Sequence, residues 1–250
     1  IYRVQEKPGF RLEDIPRLKP KWTMAYPGGV AGGPPSVVAG RVFVGTAAGS
    51  VMALDVETGC TYWATNPGER VKTPVSVAIW PPNELDKGSQ ARAVAYFADR
   101  KAVVHAINAE TGEKIWTTKV DDDMFATISG GLAIYKDRVY VPVTSGEGAM
   151  GPRGDYSCCK FRGSMVALDA YTGKMVWRSY TISQTPKPFK FNTAGTQMYG
   201  PAGAGIWSPP TVDPIRKLVY GGTAESKTEM SVDTSDAIIA FDFKTGAHLW

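Results

Sequence analysis

The sequence has few of the residues that bind transition metals and haem. Its 250 residues contain three cysteines and two histidines. No cysteine lies in a Cys-x-x-Cys-His motif or has the spacing of a zinc site, which argues against a c-type haem and a zinc centre. His105 and His248 lie inside apolar segments without a partner motif, which is typical of side chains that pack in strands or face solvent.

Long apolar runs and clusters of basic residues are absent as well. No stretch approaches the ~20 apolar residues that a transmembrane helix needs, and the chain does not start with the pattern of a signal peptide. The net charge is +4, and no run of Lys and Arg exceeds two residues, which argues against a nucleic-acid-binding surface. The chain begins at Ile1 and stops at Trp250, so we expect a mature or partial piece of a longer protein.

Four copies of one motif organise the chain. The motif is Asp/Asn-x-x-Thr-Gly-x-x-x-Trp, and a short apolar run precedes each copy. The copies span Asp55–Trp63, Asn108–Trp116, Asp169–Trp177 and Asp242–Trp250. A unit of this size cannot bury its own apolar face and must stack on its neighbours. The sequence therefore predicts an all-β fold, a β-propeller built unit after unit.

The first unit shows how the motif is expected to fold. Residues Arg41–Gly45 alternate as in a half-buried strand, and Val51–Leu54 is predicted to pair back onto them. The Asp55 carboxylate can accept hydrogen bonds from the backbone of the turn that follows. Gly59 is expected in the left-handed conformation that closes a hairpin, and the Trp63 ring is expected between adjacent units.

The distance between successive turn glycines grows along the chain, and the extra residues fall between the predicted strands. The insertions are Trp80–Gln90, Ser145–Gly163 and Thr181–Ile206. Insertions of this kind build the ligand-binding face of propellers. Functional residues are therefore expected in these three segments.

The repeat resembles that of the quinoprotein dehydrogenases, and longer segments resemble the polyvinyl alcohol dehydrogenase branch of that family. These segments are Asp14–Trp22, Thr58–Trp63, Tyr156–Asp169, Gly200–Ser208 and Thr234–Asp242. The resemblance covers nearly the whole chain, and Cys-Cys followed by Phe-Arg-Gly-Ser is its most specific part. It implies an eight-bladed propeller that holds pyrroloquinoline quinone (PQQ) and calcium. Residues 1–250 would form a single partial domain of about four of these blades.

The resemblance implies a periplasmic alcohol dehydrogenase that passes electrons to a cytochrome c. Its substrate would be polyvinyl alcohol or another secondary alcohol. The catalytic base of the family lies in a loop after the fourth repeat, beyond residue 250, so the chain by itself is expected to be inactive. The alternative is a non-catalytic propeller for protein interaction, like the outer-membrane assembly lipoprotein. The vicinal cysteines together with Trp207 favour the enzyme, because a scaffold does not need them.

The resemblance places Cys158 and Cys159 at the cofactor, joined by a vicinal disulfide that lies against one face of the quinone. Adjacency alone favours the alternative, two reduced and buried thiols that behave as small apolar side chains. Trp207 is the candidate for the opposite face, because an indole stacks well on a planar ring. The alternative for Trp207 is one more ring between adjacent units.

Three further residues are candidates for hydrogen bonds to the quinone. Arg162 can pair with a carboxylate or the reactive carbonyl of the quinone in bidentate fashion. Thr127 and Ser129 lie in the segment Thr-Ile-Ser-Gly-Gly and can bond the rim of the cofactor. The alternative for both is an ordinary strand or turn hydroxyl.

Glu147 and Glu225 are the candidate calcium ligands. Glu147 lies in Thr-Ser-Gly-Glu, which resembles the family's Ser-Gly-Ala-Glu segment with one small residue missing. Glu225 stands where related enzymes have an Asn that donates an oxygen to calcium. Calcium takes about six to eight oxygen ligands. The alternatives are a solvated loop acid for Glu147 and a lost or altered metal site for Glu225.

Overall fold

The computed structural model describes residues 9–26, 32–81 and 91–250, and most of the regular structure in these ranges is β-strand. Two short 3₁₀ helices accompany the strands, at Leu12–Arg17 and Glu147–Met150. Of the insertion predicted at Trp80–Gln90, residues 82–90 lie outside the described residues. Within the described ranges, no helix is both long enough and apolar enough to cross a bilayer.

Four antiparallel sheets follow one another along the chain, one for each repeat unit. The first contains β1–β4, at Ser36–Val38, Arg41–Gly45, Val51–Asp55 and Thr61–Thr65. The second contains β5–β8, at Ser76–Trp80, Arg92–Ala98, Val103–Asn108 and Lys114–Lys119. The third contains β9–β13, at Ala126–Thr127, Ala133–Tyr135, Arg138–Ser145, Ser164–Asp169 and Met175–Tyr180. The fourth contains β16–β18, at Thr211–Asp213, Leu218–Gly222 and Ile238–Asp242.

A separate hairpin lies between the third and fourth sheets. Its strands are β14 at Lys187–Phe191 and β15 at Gln197–Gly200, inside the insertion predicted at Thr181–Ile206. Sequence analysis predicted neither this hairpin nor the first strand of each sheet. The all-β propeller-type fold is confirmed, with one sheet for each copy of the motif.

The turn of the first unit forms as predicted. Oδ1 of Asp55 accepts hydrogen bonds from the amides of Glu57 and Thr58, at 3.0 and 2.7 Å, and Gly59 has a φ of +73°. Hydrogen bonds from the Tyr62 hydroxyl and from Thr58 lower the pKa of Asp55 to about 2. The same backbone capping recurs at Asn108, Asp169 and Asp242.

The Trp that ends each of the first three units lies on the turn glycine of the next unit. A Cβ added at Gly112 would lie 2.8 Å from Cδ2 of Trp63, and the Trp63 indole N–H donates to the Ala109 carbonyl at 3.1 Å. Trp116 makes the same pair of contacts with the following unit. The prediction that these rings lie between adjacent units is therefore confirmed.

Trp22, which precedes the first sheet, makes the same contacts with the first unit. A Cβ at Gly59 would lie 2.7 Å from Cδ2 of Trp22, and the Trp22 indole N–H donates to the Val56 carbonyl at 3.0 Å. Trp22 thus takes the position that the last strand of a preceding unit would give to its own Trp.

The core lies between neighbouring sheets. One cluster contains Phe43 of the first sheet and Phe97 of the second. The next contains Val104 of the second sheet and Leu168 of the third. A further cluster joins the third and fourth sheets around Phe241. Each unit buries its apolar face by stacking on its neighbours, as expected for a repeat architecture.

One edge strand of each of the four sheets faces a common groove. β1, β5, β10 and β16 contribute residues to its lining, and its volume is about 780 Å³. Innermost strands surround the central channel of a propeller. The four sheets are therefore arranged radially, and the loops that join their strands lie above or below them.

We predict that the close approach of Trp116 to Gly173 makes this glycine costly to replace. A Cβ at Gly173 (φ +71°) would lie 2.6 Å from Cε3 of Trp116, whereas Gly40 (φ +73°) has nothing within 4 Å of an added Cβ. Both Gly173→Ala and Gly40→Ala should lose about 1–2 kcal/mol from left-handed strain. Gly173→Ala should lose about 1–3 kcal/mol more from overpacking.

Urea denaturation of the full-length protein measures both losses. Gly40→Ala serves as the control, because its backbone conformation matches that of Gly173. Equal destabilisation by the two substitutions would show that the Trp116 ring can tolerate a Cβ at position 173.

Candidate functional site

Three inserted segments lie side by side and leave the sheets at the ends of β11, β13 and β17. We call residues 145–163, 181–206 and 223–237 the insertion layer. Cys159 N–H donates to the Tyr199 carbonyl at 3.2 Å, and Tyr199 N–H donates to the Cys158 carbonyl at 2.8 Å. Lys227 N–H donates to the Ala202 carbonyl at 2.9 Å. Backbone hydrogen bonds thus join all three segments, two of which were predicted as insertions.

Cys158 and Cys159 are bonded to each other, so the predicted vicinal disulfide is present in the structure and the alternative of two reduced thiols is not. The two residues are 4% and 1% exposed. They pack against Ala202, Tyr156 and Met198 of the insertion layer. Trp207 is not a member of this cluster, so a contact of the disulfide with a quinone stays a prediction.

Glu147 organises the loop that carries the disulfide. Its Oε1 accepts hydrogen bonds from the Tyr156 hydroxyl at 3.0 Å and the Lys160 amide at 2.8 Å, and its Oε2 accepts one from the Phe161 amide at 2.9 Å. Burial and the hydrogen bond to Glu147 raise the pKa of Tyr156. Glu147 is 1% exposed, so the alternative of a solvated loop acid is wrong.

Lys227 brings a positive charge into the same region. Its Nζ donates to the Ser145 carbonyl at 2.9 Å, and a Cβ at Gly148 would lie 3.4 Å from its Cε. Burial lowers the pKa of Lys227, and the negative charges of Glu147 and Glu225 oppose this shift. The lysine stem therefore lies against the turn that begins with Glu147, with its ammonium group among acids.

The described residues do not fit a calcium ion. Across 9–26, 32–81 and 91–250, no group of three or more Asp, Glu, His or Cys side chains could hold a metal ion. Glu147 already accepts three hydrogen bonds from protein donors, and Glu225 is exposed. Calcium needs about six to eight oxygens that are free to coordinate. Binding of calcium by Glu147 and Glu225 therefore rests on the resemblance alone.

Trp207 differs from the three Trp residues that lie between two units. It is 63% exposed, whereas Trp63, Trp116 and Trp177 are each 9% exposed. Trp250, which ends the last unit of the chain, is 62% exposed, so exposure by itself does not separate Trp207 from a ring that ends a unit. Its backbone is held closely, since a Cβ at Gly130 would lie 2.9 Å from the Trp207 carbonyl oxygen. An exposed indole on a fixed backbone can stack on a planar ligand.

The segment of Thr127 and Ser129 reaches the backbone of Trp207 through a glycine. Thr127 is in β9 and pairs with Thr144 of β11. Ile128 is buried, and the hydroxyl residues on either side of it are half-buried. The glycine after Ser129 lies against the Trp207 backbone. A position of the two hydroxyls beside the indole, and their hydrogen bonds to a cofactor, stay predictions.

Two backbone carbonyls and an aromatic ring hold the guanidinium group of Arg162 in place. Nη1 donates to the carbonyls of Ile182 and Ser183, both at 3.1 Å, and the guanidinium carbon lies 3.8 Å from the centre of the Tyr180 ring. In the part of the chain that the structure describes, Nη1 is the only Arg162 nitrogen with a protein acceptor. The guanidinium is thus positioned in advance and keeps donors for a ligand.

Sequence analysis missed Lys227 and the role of Tyr156. Tyr156 opens the segment that carries the vicinal cysteines, so its position in that segment was a usable signal. Lys227 follows Glu225 by two residues in a stretch without strand periodicity. A positive charge near Glu147 is expected only once its carboxylate is known to be buried. The sequence does not show that burial, so Lys227 could not be predicted from it.

Comparisons with known proteins agree with this arrangement. The family model described as "Glucose/ethanol/alcohol dehydrogenase, beta-propeller domain" matches residues 14–250. A polyvinylalcohol dehydrogenase of Sphingopyxis sp. (strain 113P3) is 42% identical over 248 residues, which is 99% of this chain and 37% of that protein. One from Pseudomonas sp. is 40% identical over 99% of this chain and 38% of that protein. The chain thus spans less than two fifths of these relatives.

Solved structures show the same fold at low sequence identity. Quinohemoprotein alcohol dehydrogenase from Comamonas testosteroni has a TM-score of 0.62 and 22% identity, and the match covers 87% of this chain and 34% of that one. BamB from Moraxella catarrhalis has a TM-score of 0.54 and 15% identity, and the match covers 89% of this chain and 53% of that one. At these identities both structures support the propeller architecture and nothing finer.

We predict that the disulfide forms in protein made in an oxidising compartment. Trypsin should release residues 154–160, which contain both Cys158 and Cys159. In denatured protein this peptide should resist alkylation until reduction and should weigh less by two hydrogens beforehand. Cys60 is free and exposed, so it should alkylate at once and serves as the internal control. Alkylation of the 154–160 peptide before reduction would contradict the pairing.

Proposed function

The chain belongs to the glucose/ethanol/alcohol dehydrogenase β-propeller family, and from this premise we propose that it is part of a PQQ-dependent alcohol dehydrogenase of the polyvinyl alcohol dehydrogenase type. The observation that carries the proposal is the identity of 40–42% with two polyvinylalcohol dehydrogenases over 99% of the chain. The proposed substrate is polyvinyl alcohol or another secondary alcohol, and the proposed electron acceptor is a cytochrome c.

The residues around Trp207 fit a planar quinone. The indole is 63% exposed, and its backbone lies against Gly130, which follows Thr127 and Ser129 in the chain. When bound, PQQ supplies the acceptor for the two electrons of alcohol oxidation. Trp207 orients the plane of this group, while the two hydroxyls are placed to bond its rim.

Arg162 is the proposed partner for the negative charge of the cofactor. A guanidinium matches a carboxylate through two parallel hydrogen bonds. Because its Nη1 is already held by two backbone carbonyls, little side-chain entropy is lost when the remaining donors bind a ligand. Arg162 would thus bind and orient the quinone and would place positive charge close to one of its oxygens.

Cys158 and Cys159 are proposed to support the cofactor from within the insertion layer. Their burial among Ala202, Tyr156 and Met198 makes the interior of this part of the layer apolar. The disulfide also favours an oxidising compartment, in agreement with the proposed periplasmic location. Glu147 positions the same loop through the amides of Lys160 and Phe161. We derive no step through calcium, because the described residues do not fit it.

A non-catalytic scaffold is the second candidate function. The TM-score of 0.54 to BamB favours it only at the level of the fold. A scaffold has no use for an exposed indole at Trp207 and a pre-positioned guanidinium at Arg162. Binding of PQQ by the full-length protein therefore distinguishes the two functions directly.

Substitutions in the full-length protein test the site. Stacking on an aromatic side chain is worth about 1–3 kcal/mol, so Trp207→Ala should weaken PQQ binding about tenfold or more. Arg162→Ala should weaken it to a similar extent through the lost charge-assisted hydrogen bonds. PQQ titration monitored by protein fluorescence, together with alcohol-dependent dye reduction, measures both effects.

Trp116→Ala is the matched control for the loss of an indole. Trp116 lies between sheets, so its removal should cost about 3–5 kcal/mol of stability. The folded fraction should still bind PQQ with unchanged affinity. Equal PQQ affinity in the Trp207, Arg162 and Trp116 variants would refute the assignment of the first two residues to the site.

A further inference from the structure

Half-buried Lys227 and buried Glu147 place opposite charges in one part of the insertion layer. Among the described residues, the hydrogen-bond acceptor of Lys227 Nζ is the Ser145 carbonyl at 2.9 Å. Its stem follows the Glu147–Met150 turn, where Cε would lie 3.4 Å from a Cβ at Gly148. A lysine stem packed this closely holds its ammonium group in a fixed place.

The Glu147 carboxylate needs a counter-charge, because burial of a charge without compensation is costly. Its three hydrogen bonds come from the Tyr156 hydroxyl and two backbone amides, all of which are neutral donors. Lys227 Nζ bonds the carbonyl of Ser145, two residues before Glu147, and its stem lies beside Gly148, the residue after it. Lys227 thus brings a positive charge close to the Glu147 carboxylate, although its hydrogen bond goes to the Ser145 carbonyl.

We propose that Lys227 is the resident cation beside Glu147 and that this site works without a divalent metal ion. The ammonium group takes the Ser145 carbonyl, which is an oxygen that calcium could otherwise use. Its charge also repels a second cation at short range. The inference rests on the proposed function for any role of this site in quinone chemistry. The absence of a metal ion beside Glu147 is argued only from the hydrogen bonds of Lys227 and Glu147.

Terbium is a probe for this site, because it binds calcium-type oxygen sites and its luminescence is excited through nearby tyrosines. Tyr156 contacts Glu147 at 3.0 Å and is thus a built-in sensitiser. The experiment uses the full-length protein, stripped with a chelator and free of quinone. Wild type is compared with Lys227→Met, which removes the charge, and Lys227→Arg, which keeps it. Lys190→Met is the control, since Lys190 is a half-buried lysine of the same layer that pairs with Glu229.

Lys227→Met should gain a terbium site that binds about tenfold or more tighter than in wild type, because a unit charge at short range changes the affinity by at least this factor. Lys227→Arg and Lys190→Met should behave like wild type. Calcium should raise the melting temperature of Lys227→Met more than that of the other three proteins. Glu147→Gln added to Lys227→Met should remove the gain.

Two results would overturn the inference. One is terbium binding by Lys227→Met that equals binding by wild type. The other is a terbium signal in wild type that Tyr156→Phe or Glu147→Gln removes, which would show that Glu147 already holds a metal. The second result needs no variant at Lys227, so it decides the matter even if Lys227→Met does not fold. Since quinone is absent throughout, failure of the proposed function would leave these readouts unchanged.

Discussion

The contact between the indole of one unit and the left-handed glycine of the next is the interaction on which the rest of the structure depends. It works because glycine lacks a Cβ, so a ring such as that of Trp63 can lie directly on the backbone of Gly112. The indole N–H then bonds a carbonyl of the same turn. The same contact recurs from Trp22 onward. It therefore gives each pair of neighbouring sheets a similar packing geometry, with the apolar core between them.

This arrangement decides where the functional residues lie. β11 and β13 are both antiparallel to β12, so they end at the same side of the third sheet. The segments that leave them, together with the segment that leaves β17, pair through their backbones. Glu147 fixes one of these segments from inside, through the amides of Lys160 and Phe161. Cys158, Cys159 and Arg162 are carried by the same loop. The position of the candidate quinone site thus follows from sheet stacking and from one buried carboxylate.

Much of the fold could be predicted from the sequence because the information is local. The carboxylate cap of Asp55 and the left-handed Gly59 depend on adjacent residues, and the apolar alternation of Arg41–Gly45 reports one buried face. The first strand of each sheet escaped prediction. Ser36–Val38, for example, has only three residues and an exposed Val37, so it carries no alternating pattern.

The site was less predictable, because it depends on contacts between distant segments. Trp207 and Arg162 were found through the resemblance. The exposure of Trp207 and the carbonyl partners of Arg162 at Ile182 and Ser183 required the fold of the insertion layer. The burial of Glu147 required it as well, since its donors come from residues that follow it by 9 to 14 positions. Lys227 had no motif and became visible only beside that buried acid.

We propose that this propeller presents a quinone to an alcohol. The most direct test is the absorption spectrum of the full-length protein after reconstitution with PQQ and removal of free quinone by gel filtration. A secondary alcohol is then added without oxygen or an electron acceptor. We predict that quinone co-elutes with the protein and that its spectrum changes to that of the reduced form when the alcohol is added. A protein that elutes without quinone, or whose bound quinone stays oxidised with every alcohol tried, would contradict the account.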